Sequence, residues 1–175
     1  MTTSAQKFPL SMRLLHWAMA ALLVSMLCAG AIMVDSLATW QPALLNLHKG
    51  FGIIALLLVC LRLIVRLKSA IPPLPTSLHG WQKIGAKASH YLLYGLMFAL
   101  PLSGFLMQYH AARPVEFFGL FTLPVAMAAN IEVYAFYRVS HGYLAIALAI
   151  VVGAHVAAAL HHHFYRKDEV LKSMF

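Results

Sequence analysis

Charge is what this chain has least of. Only 10% of its 175 residues are Asp, Glu, Lys or Arg, against about 25% in soluble domains, while 62% are hydrophobic and the mean hydropathy is +0.78. So few charges cannot cover the exterior of a soluble bundle, and the chain reads as an integral membrane protein. Carboxylates are scarcer still: Asp35, Glu116, Glu132, Asp168 and Glu169 make up the whole set, and each falls outside the long apolar stretches. Cysteine is limited to Cys28 and Cys60. These sit in stretches that cross in opposite directions and differ in depth by roughly 10 Å, more than the Cα separation of about 7 Å that a disulfide spans. They read as small core residues. There is no internal repeat and no low-complexity tract.

What is present is four apolar stretches, at about 14–34, 47–67, 84–108 and 140–164, each meeting the need for about 20 residues to cross a bilayer. The expected fold is all-α: an integral membrane four-helix bundle forming one domain over residues 1–175. Ten of the thirteen basic residues flank one side, namely Lys7, Arg13, Arg62, Arg66, Lys68, Lys83, Lys87, Arg166, Lys167 and Lys172. By the positive-inside rule both termini and the middle connection are cytoplasmic, with the membrane crossed four times. Lys49, Arg113 and Arg138 are left for the outer face. The net charge of +8 reflects this bias toward an anionic leaflet, so nucleic acid need not be invoked. The first stretch follows Lys7 and Arg13 as a signal peptide would, but its apolar run exceeds the usual 7 to 15 residues and reads as a retained helix. Ile71 to Pro75 (IPPLP) forbids helix and makes a stiff cytoplasmic link. The long connection 110–137, with His110, Arg113, Pro114, Glu116 and an apolar patch at Phe117 to Val125, reads as a loop or short helix against the outer bilayer surface.

His141 and His155 stand fourteen residues apart, almost four helical turns, so both rings leave one face of the last stretch at depths roughly 21 Å apart. Because alternate stretches reverse direction, His48 joins His141 at the outer level. The inner level holds His16, His90, His155 and His162. A ring of this polarity inside a bilayer faces the bundle interior and has a partner. Each alone reads as a hydrogen-bonded structural histidine; jointly they suit metal. Zinc wants three or four converging donors, and neither a carboxylate nor a thiol is placed to complete them. Two opposed imidazoles at one depth suit the two axial positions of a haem iron. Small residues on the stripe from His141 through Ala145, Leu148, Val152 and His155 to Ala159, with Ala20 and Gly30 on the first helix, leave room for a macrocycle and equally allow close helix packing. No CxxCH sequence occurs, which excludes the usual covalent attachment and leaves b-type haem.

LLHW at 14–17, NLHKGFGI at 46–53, PLSGFLM at 101–107 and HVAAALHHHFYRKD at 155–168 resemble the bacterial cytochrome b561 family of four-helix dihaem proteins, over essentially the whole chain. The pattern recurs less closely in the cytochrome subunits of formate dehydrogenases and hydrogenases. The resemblance implies two stacked b haems, with His16 and His155 ligating the cytoplasmic-side iron and His48 and His141 the periplasmic-side iron. His90 and His162 then read as a quinone site that passes protons near the inner haem, while His161 and His163 snorkel among headgroups with Arg166 and Lys167.

The resemblance extends to small stand-alone members that act as superoxide oxidases, passing electrons from periplasmic superoxide to ubiquinone. No side chain performs catalysis in that reading; the protein supplies ligands, spacing, a proton path and a basic entrance. Lys49, beside one outer ligand, and Arg138, three residues before the other, are the candidates for steering the anion. Since Asp35, Glu116 and Glu132 balance the outer basic residues, that steering is local to the haem edge. The alternative is a cytochrome anchor that carries electrons between a hydrogenase or dehydrogenase partner and quinone. A chain ending shortly after its fourth helix, without a docking domain, does not itself indicate such a protein partner. A haem-free binding or transport protein that uses the histidines for metal ions, colourless when purified, is the remaining class, disfavoured by the lack of intramembrane carboxylates.

Overall fold

The computed structural model describes residues 7–34, 37–70, 80–168 and 170–175. Four long helices dominate: α1 (Leu10–Val34), α2 (Gln41–Lys68), α3 (Gly80–His110) and α4 (Ile131–His161). Each is long and apolar enough to cross a membrane, where only a helix or a closed barrel satisfies its own backbone. Exposed Leu14, Val24, Leu57, Leu61, Ile146 and Ile150 give the bundle the outward apolar surface that lipid requires. Cys28 and Cys60 are free thiols. Cys28 lies on this outward face and not in the core, because burial here follows the helix face and not residue size.

The helices outrun the apolar stretches because their ends carry start and stop signals. Pro42 sits in the first turn of α2, where its missing N–H costs nothing, and Arg66 and Lys68 occupy the last turn, favourably placed against the helix dipole. In α4, Asn130 caps the start by accepting the Val133 N–H at 3.1 Å, and Glu132 lies in the first turn. The Pro-rich link Ile71 to Pro75, together with Asp35 and Glu169, lies outside the described residues.

The outer connection corrects the expectation of a loop or short helix. It forms an antiparallel hairpin of β1 (Val115–Phe117) and β2 (Phe121–Leu123), with Val115 opposite Leu123 and Phe117 opposite Phe121. The reversal runs through Phe118 at φ 49° and Gly119 at φ 74°, conformations a helix cannot contain. Stacking of the Phe117 and Phe121 rings, 5.0 Å apart, adds a cross-strand pair. Phe118 seats the hairpin on α2: a Cβ on Gly50 would lie 2.8 Å from its Cζ, so only glycine permits this approach.

Close backbone approaches join α1 to α2, α2 to α3 and α3 to α4. Across the wider separation, α1 and α2 meet α4 through histidine rings. Between the two histidine levels the core closes on Met19, Val59, Leu96, Met97 and Leu148. Leu148, fully buried, is seven residues from His141 and seven from His155.

Candidate functional site: two levels of paired histidines

At the outer level, His48 of α2 faces His141 of α4 with ring centroids 6.4 Å apart and planes at 76°. The His141 ring is held by α3. Its Nδ1 lies 3.1 Å from the Leu100 carbonyl and 3.0 Å from Ser103 Oγ, and Ser103 gives its own hydroxyl proton to the same carbonyl at 2.7 Å. A carbonyl only accepts, so Nδ1 carries the proton and donates, leaving Nε2 with its lone pair. A metal-ligating histidine is oriented in this way, by giving its other N–H to a backbone carbonyl. Gly104 completes the cradle: a Cβ there would meet His141 Cε1 at 3.0 Å. On the other side His48 Nδ1 is buried with no hydrogen-bond partner among the described residues. A buried ring nitrogen left without a protein partner marks a place for a group the chain does not itself supply. Gly30, on α1, stands beside His48, its would-be Cβ 3.7 Å from Cε1.

At the inner level His155 stands between two rings, His16 of α1 at 6.3 Å and His90 of α3 at 6.1 Å. Arg62 of α2 reaches into this group, with Nη2 3.0 Å from His16 Nδ1 and Nε donating to the Tyr94 hydroxyl at 3.2 Å. Arg66, one turn on, lies over the Tyr94 ring at 5.7 Å. Arginine has no acceptor, so His16 Nδ1 accepts here and the ring proton sits on Nε2. Ligation through Nε2 moves the ring proton to Nδ1 and so requires Arg62 to leave Nδ1.

Two metal–nitrogen bonds of about 2 Å each, with the half-width of two rings, set opposed axial imidazoles about 6 Å apart, centre to centre. Both levels meet that spacing. Among the described residues no group of three or more His, Cys, Asp or Glu side chains converges on a metal position, as a protein-only zinc site would need. The histidine pairs therefore fit b haem: the outer pair with the tautomer of His141 already set, the inner pair once Arg62 has moved.

The remaining candidates lie apart. Lys49 is half-buried on α2, within electrostatic range of Glu116 and Arg113. Arg138 is exposed on α4 and lines a shallow outward depression with Val139, Gly142, Tyr143 and Ile146. His162 follows α4 in a single π-helical turn, His162–Arg166, and its Nδ1 lies 2.6 Å from Asp168. His161 stacks on Tyr165 at 5.5 Å. Sequence reasoning missed Ser103, Gly104, Arg62 and Tyr94. The PLSGFLM stretch contained the first two, but nothing in it indicates which histidine they serve. Arg62 was legible as a charge about two turns inside a span, which by itself marks a functional position.

The chain is similar in sequence to known proteins along most of its length. The sequence pattern of the prokaryotic cytochrome b561 family matches residues 7–175. "Cytochrome b561 homolog 2" of Escherichia coli (strain K12) is 31% identical over 176 residues, covering 99% of this chain and 93% of that protein. "Probable superoxide oxidase CybB" of Yersinia pestis is 30% identical over 162 residues, covering 91% and 90%. "Cytochrome b561 homolog 1" of Escherichia coli (strain K12) is 31% identical over 131 residues, covering 73% and 72%.

Proposed function

The chain belongs to the prokaryotic cytochrome b561 family, and from that premise we propose that this multi-pass membrane electron-transfer protein is a dihaem superoxide:ubiquinone oxidoreductase, a single cytochrome b domain over residues 1–175 with both termini cytoplasmic. His48 and His141 hold the periplasmic-side iron, His16 and His155 the cytoplasmic-side iron. The observation that carries this reading is the pair of histidine couples, 6.4 Å and 6.3 Å between ring centres, at two depths of one bundle. When bound, the two b haems supply one-electron carriers between the two membrane faces.

The chain's own residues do the rest. Leu100 and Ser103 fix the His141 tautomer, and Gly104 leaves space for its ring. Arg62 vacates His16 Nδ1 and keeps its bond to Tyr94. The plug of Val59 and Leu148 keeps the interior between the levels dry. His90 and His162 serve ubiquinone on the cytoplasmic side. Superoxide as donor is supported by one relative's name and by Lys49 beside His48, with Arg138 as the second outer cation to be tested. Two superoxide ions give up one electron each and leave as dioxygen; one ubiquinone takes both electrons and two cytoplasmic protons.

The test is stopped-flow haem reduction after a superoxide pulse. Reduction is expected to be fast, abolished by dismutase and slower at high ionic strength, since local positive charge raises anion encounter rates by about 10- to 1,000-fold in a salt-sensitive way. Replacing Lys49 and Arg138 together by Gln slows it further with both haem spectra unchanged. Reduction that is slow, or that survives dismutase, removes superoxide as donor.

A further inference from the structure

The stretch after α4 is built around one contact that the electron-transfer reading does not use. At His162 the helix widens into a π turn, a form that concentrates at functional sites. Lys167, a non-glycine residue at φ 51°, then reverses the chain. The His162 carbonyl accepts the N–H of Lys167 and that of Asp168 at 3.3 Å, which folds Asp168 back on the side chain of the residue that began the turn. Asp168 Oδ2 meets His162 Nδ1 at 2.6 Å. Both side chains are largely buried, 17% and 14% exposed. The other carboxylate oxygen accepts the Val170 N–H at 3.2 Å, and Arg166 Nε lies 3.8 Å from Oδ2.

The tail beyond is tied to α1. Ser173 Oγ donates to the Val170 carbonyl at 2.7 Å, the Phe8 N–H to the Ser173 carbonyl at 3.0 Å, and Trp17 Nε1–H to the Met174 carbonyl at 3.0 Å. Phe175 packs on the Trp17 ring at 5.0 Å. Asp168 thus lies between the π turn on one side and a tail bonded to α1 on the other.

We propose that Asp168 is the positioning residue of a His162–Asp168 dyad that delivers cytoplasmic protons to the bound quinone. This rests on the reading of His162 as a quinone-site residue. A carboxylate accepts, so Nδ1 of His162 donates to it and the exchangeable position is Nε2. That nitrogen is neither hydrogen-bonded nor sealed in the interior among the described residues. His155 lies seven residues earlier, two turns or roughly 10 Å along the same face, so a quinone head bound between them would lie against both the inner histidine level and His162. As the quinone takes up electrons originating in the outer donor, an N–H bond breaks at Nε2 and an O–H bond forms on the quinone. The neutral ring keeps its Nδ1–H on Asp168, so it need not turn over, and Nε2 takes the next proton from cytoplasmic water. Two such cycles supply the two protons of one quinol.

The experiment uses the haem-loaded full chain in nanodiscs with a short-chain ubiquinone. Asp168→Asn is the informative variant. Its amide oxygen can still accept from Val170, while its NH2 group faces His162 Nδ1 and drives the ring proton to Nε2. Expected is a fall in kcat for quinone reduction of about 10- to 100-fold with KM little changed, both haem spectra intact, and the His162 signal in 15N NMR moving from the Nδ1–H to the Nε2–H tautomer. Asp168→Glu recovers part of the rate. His162→Ala combined with Asp168→Asn is no slower than His162→Ala alone, because the pair acts as one unit. Ser173→Ala, which loosens the tail without touching the pair, keeps the wild-type rate. If Asp168→Asn behaves as wild type while His162→Ala loses quinone reduction, the dyad is overturned and the quinone-site reading stands. If neither variant changes the rate, that reading falls and the dyad with it. Equal losses in Asp168→Asn and Ser173→Ala reduce Asp168 to a structural anchor and overturn the proposal.

Discussion

His141 owes its direction to three residues of another helix, Leu100, Ser103 and Gly104, and the last two make different predictions. A methyl group at position 104 would press on the imidazole at 3.0 Å, and crowding of a packed site costs about 1–3 kcal/mol. Gly104→Ala therefore shifts or weakens the outer haem, read as a changed outer component in the reduced-minus-oxidised spectrum with the inner component unchanged. Gly30→Ala, whose Cβ would reach His48 only at 3.7 Å, leaves both components in place. Ser103→Ala removes one of two acceptors for the His141 N–H while the Leu100 carbonyl remains. Its loss of outer haem affinity stays at the low end of the roughly 10- to 100-fold range for such supporting partners. Unchanged outer spectra in Gly104→Ala would mean that His141 is not held against that glycine. None of the contacts to His141 was readable in the sequence, since each joins positions about 40 residues apart and hydrophobic periodicity carries no record of which helices meet. The ligand candidates were readable, because a histidine within a span is rare and its depth follows from counting residues.

The four helices are legible in the chain for a reason of solvent: lipid leaves the backbone only a helix or a closed barrel, and apolar runs of about 20 residues have the length of the helix. Their ends are less so. The start of α4 lies in NIEVYAFYR, where Glu132, Tyr134, Tyr137 and Arg138 interrupt the apolar run, yet the Asn130 cap, with Glu132 in the first turn, starts the helix well before His141. The hairpin was hidden because Phe117, Phe118 and Phe121 have the same hydrophobicity as a surface helix, and only Gly119 hints at reversal. Gly50→Ala separates helix from hairpin. Alanine stabilises α2 by about 0.5–1 kcal/mol over glycine, but its Cβ at 2.8 Å displaces the Phe118 ring. The expected result is faster amide exchange across 115–123 with α2 itself as protected as before; slower exchange in the hairpin would show that Phe118 does not depend on the glycine. Asp168 belongs to the same lesson. It reads as a headgroup-level charge, and its partnership with His162 depends on a π turn and a positive φ that no local residue preference announces.

At the scale of the whole molecule the account depends on two metal levels in one bundle, each shared between α4 and a different helix: α2 at the outer face and α1 at the inner. The inner level is where the claim is most exposed, because His155 lies 6.3 Å from His16 and 6.1 Å from His90 and Arg62 engages His16. The decisive measurement is haem quantitation with reduced-minus-oxidised visible spectra on the purified wild-type protein and on single alanine variants of His16, His48, His90, His141 and His155. The account predicts two low-spin b haems per chain, loss of the same outer haem in His48→Ala and His141→Ala, loss of the same inner haem in His16→Ala and His155→Ala, and both haems retained in His90→Ala. One haem per chain, an intact inner haem in His155→Ala, or loss of the inner haem in His90→Ala with its retention in His16→Ala would contradict it.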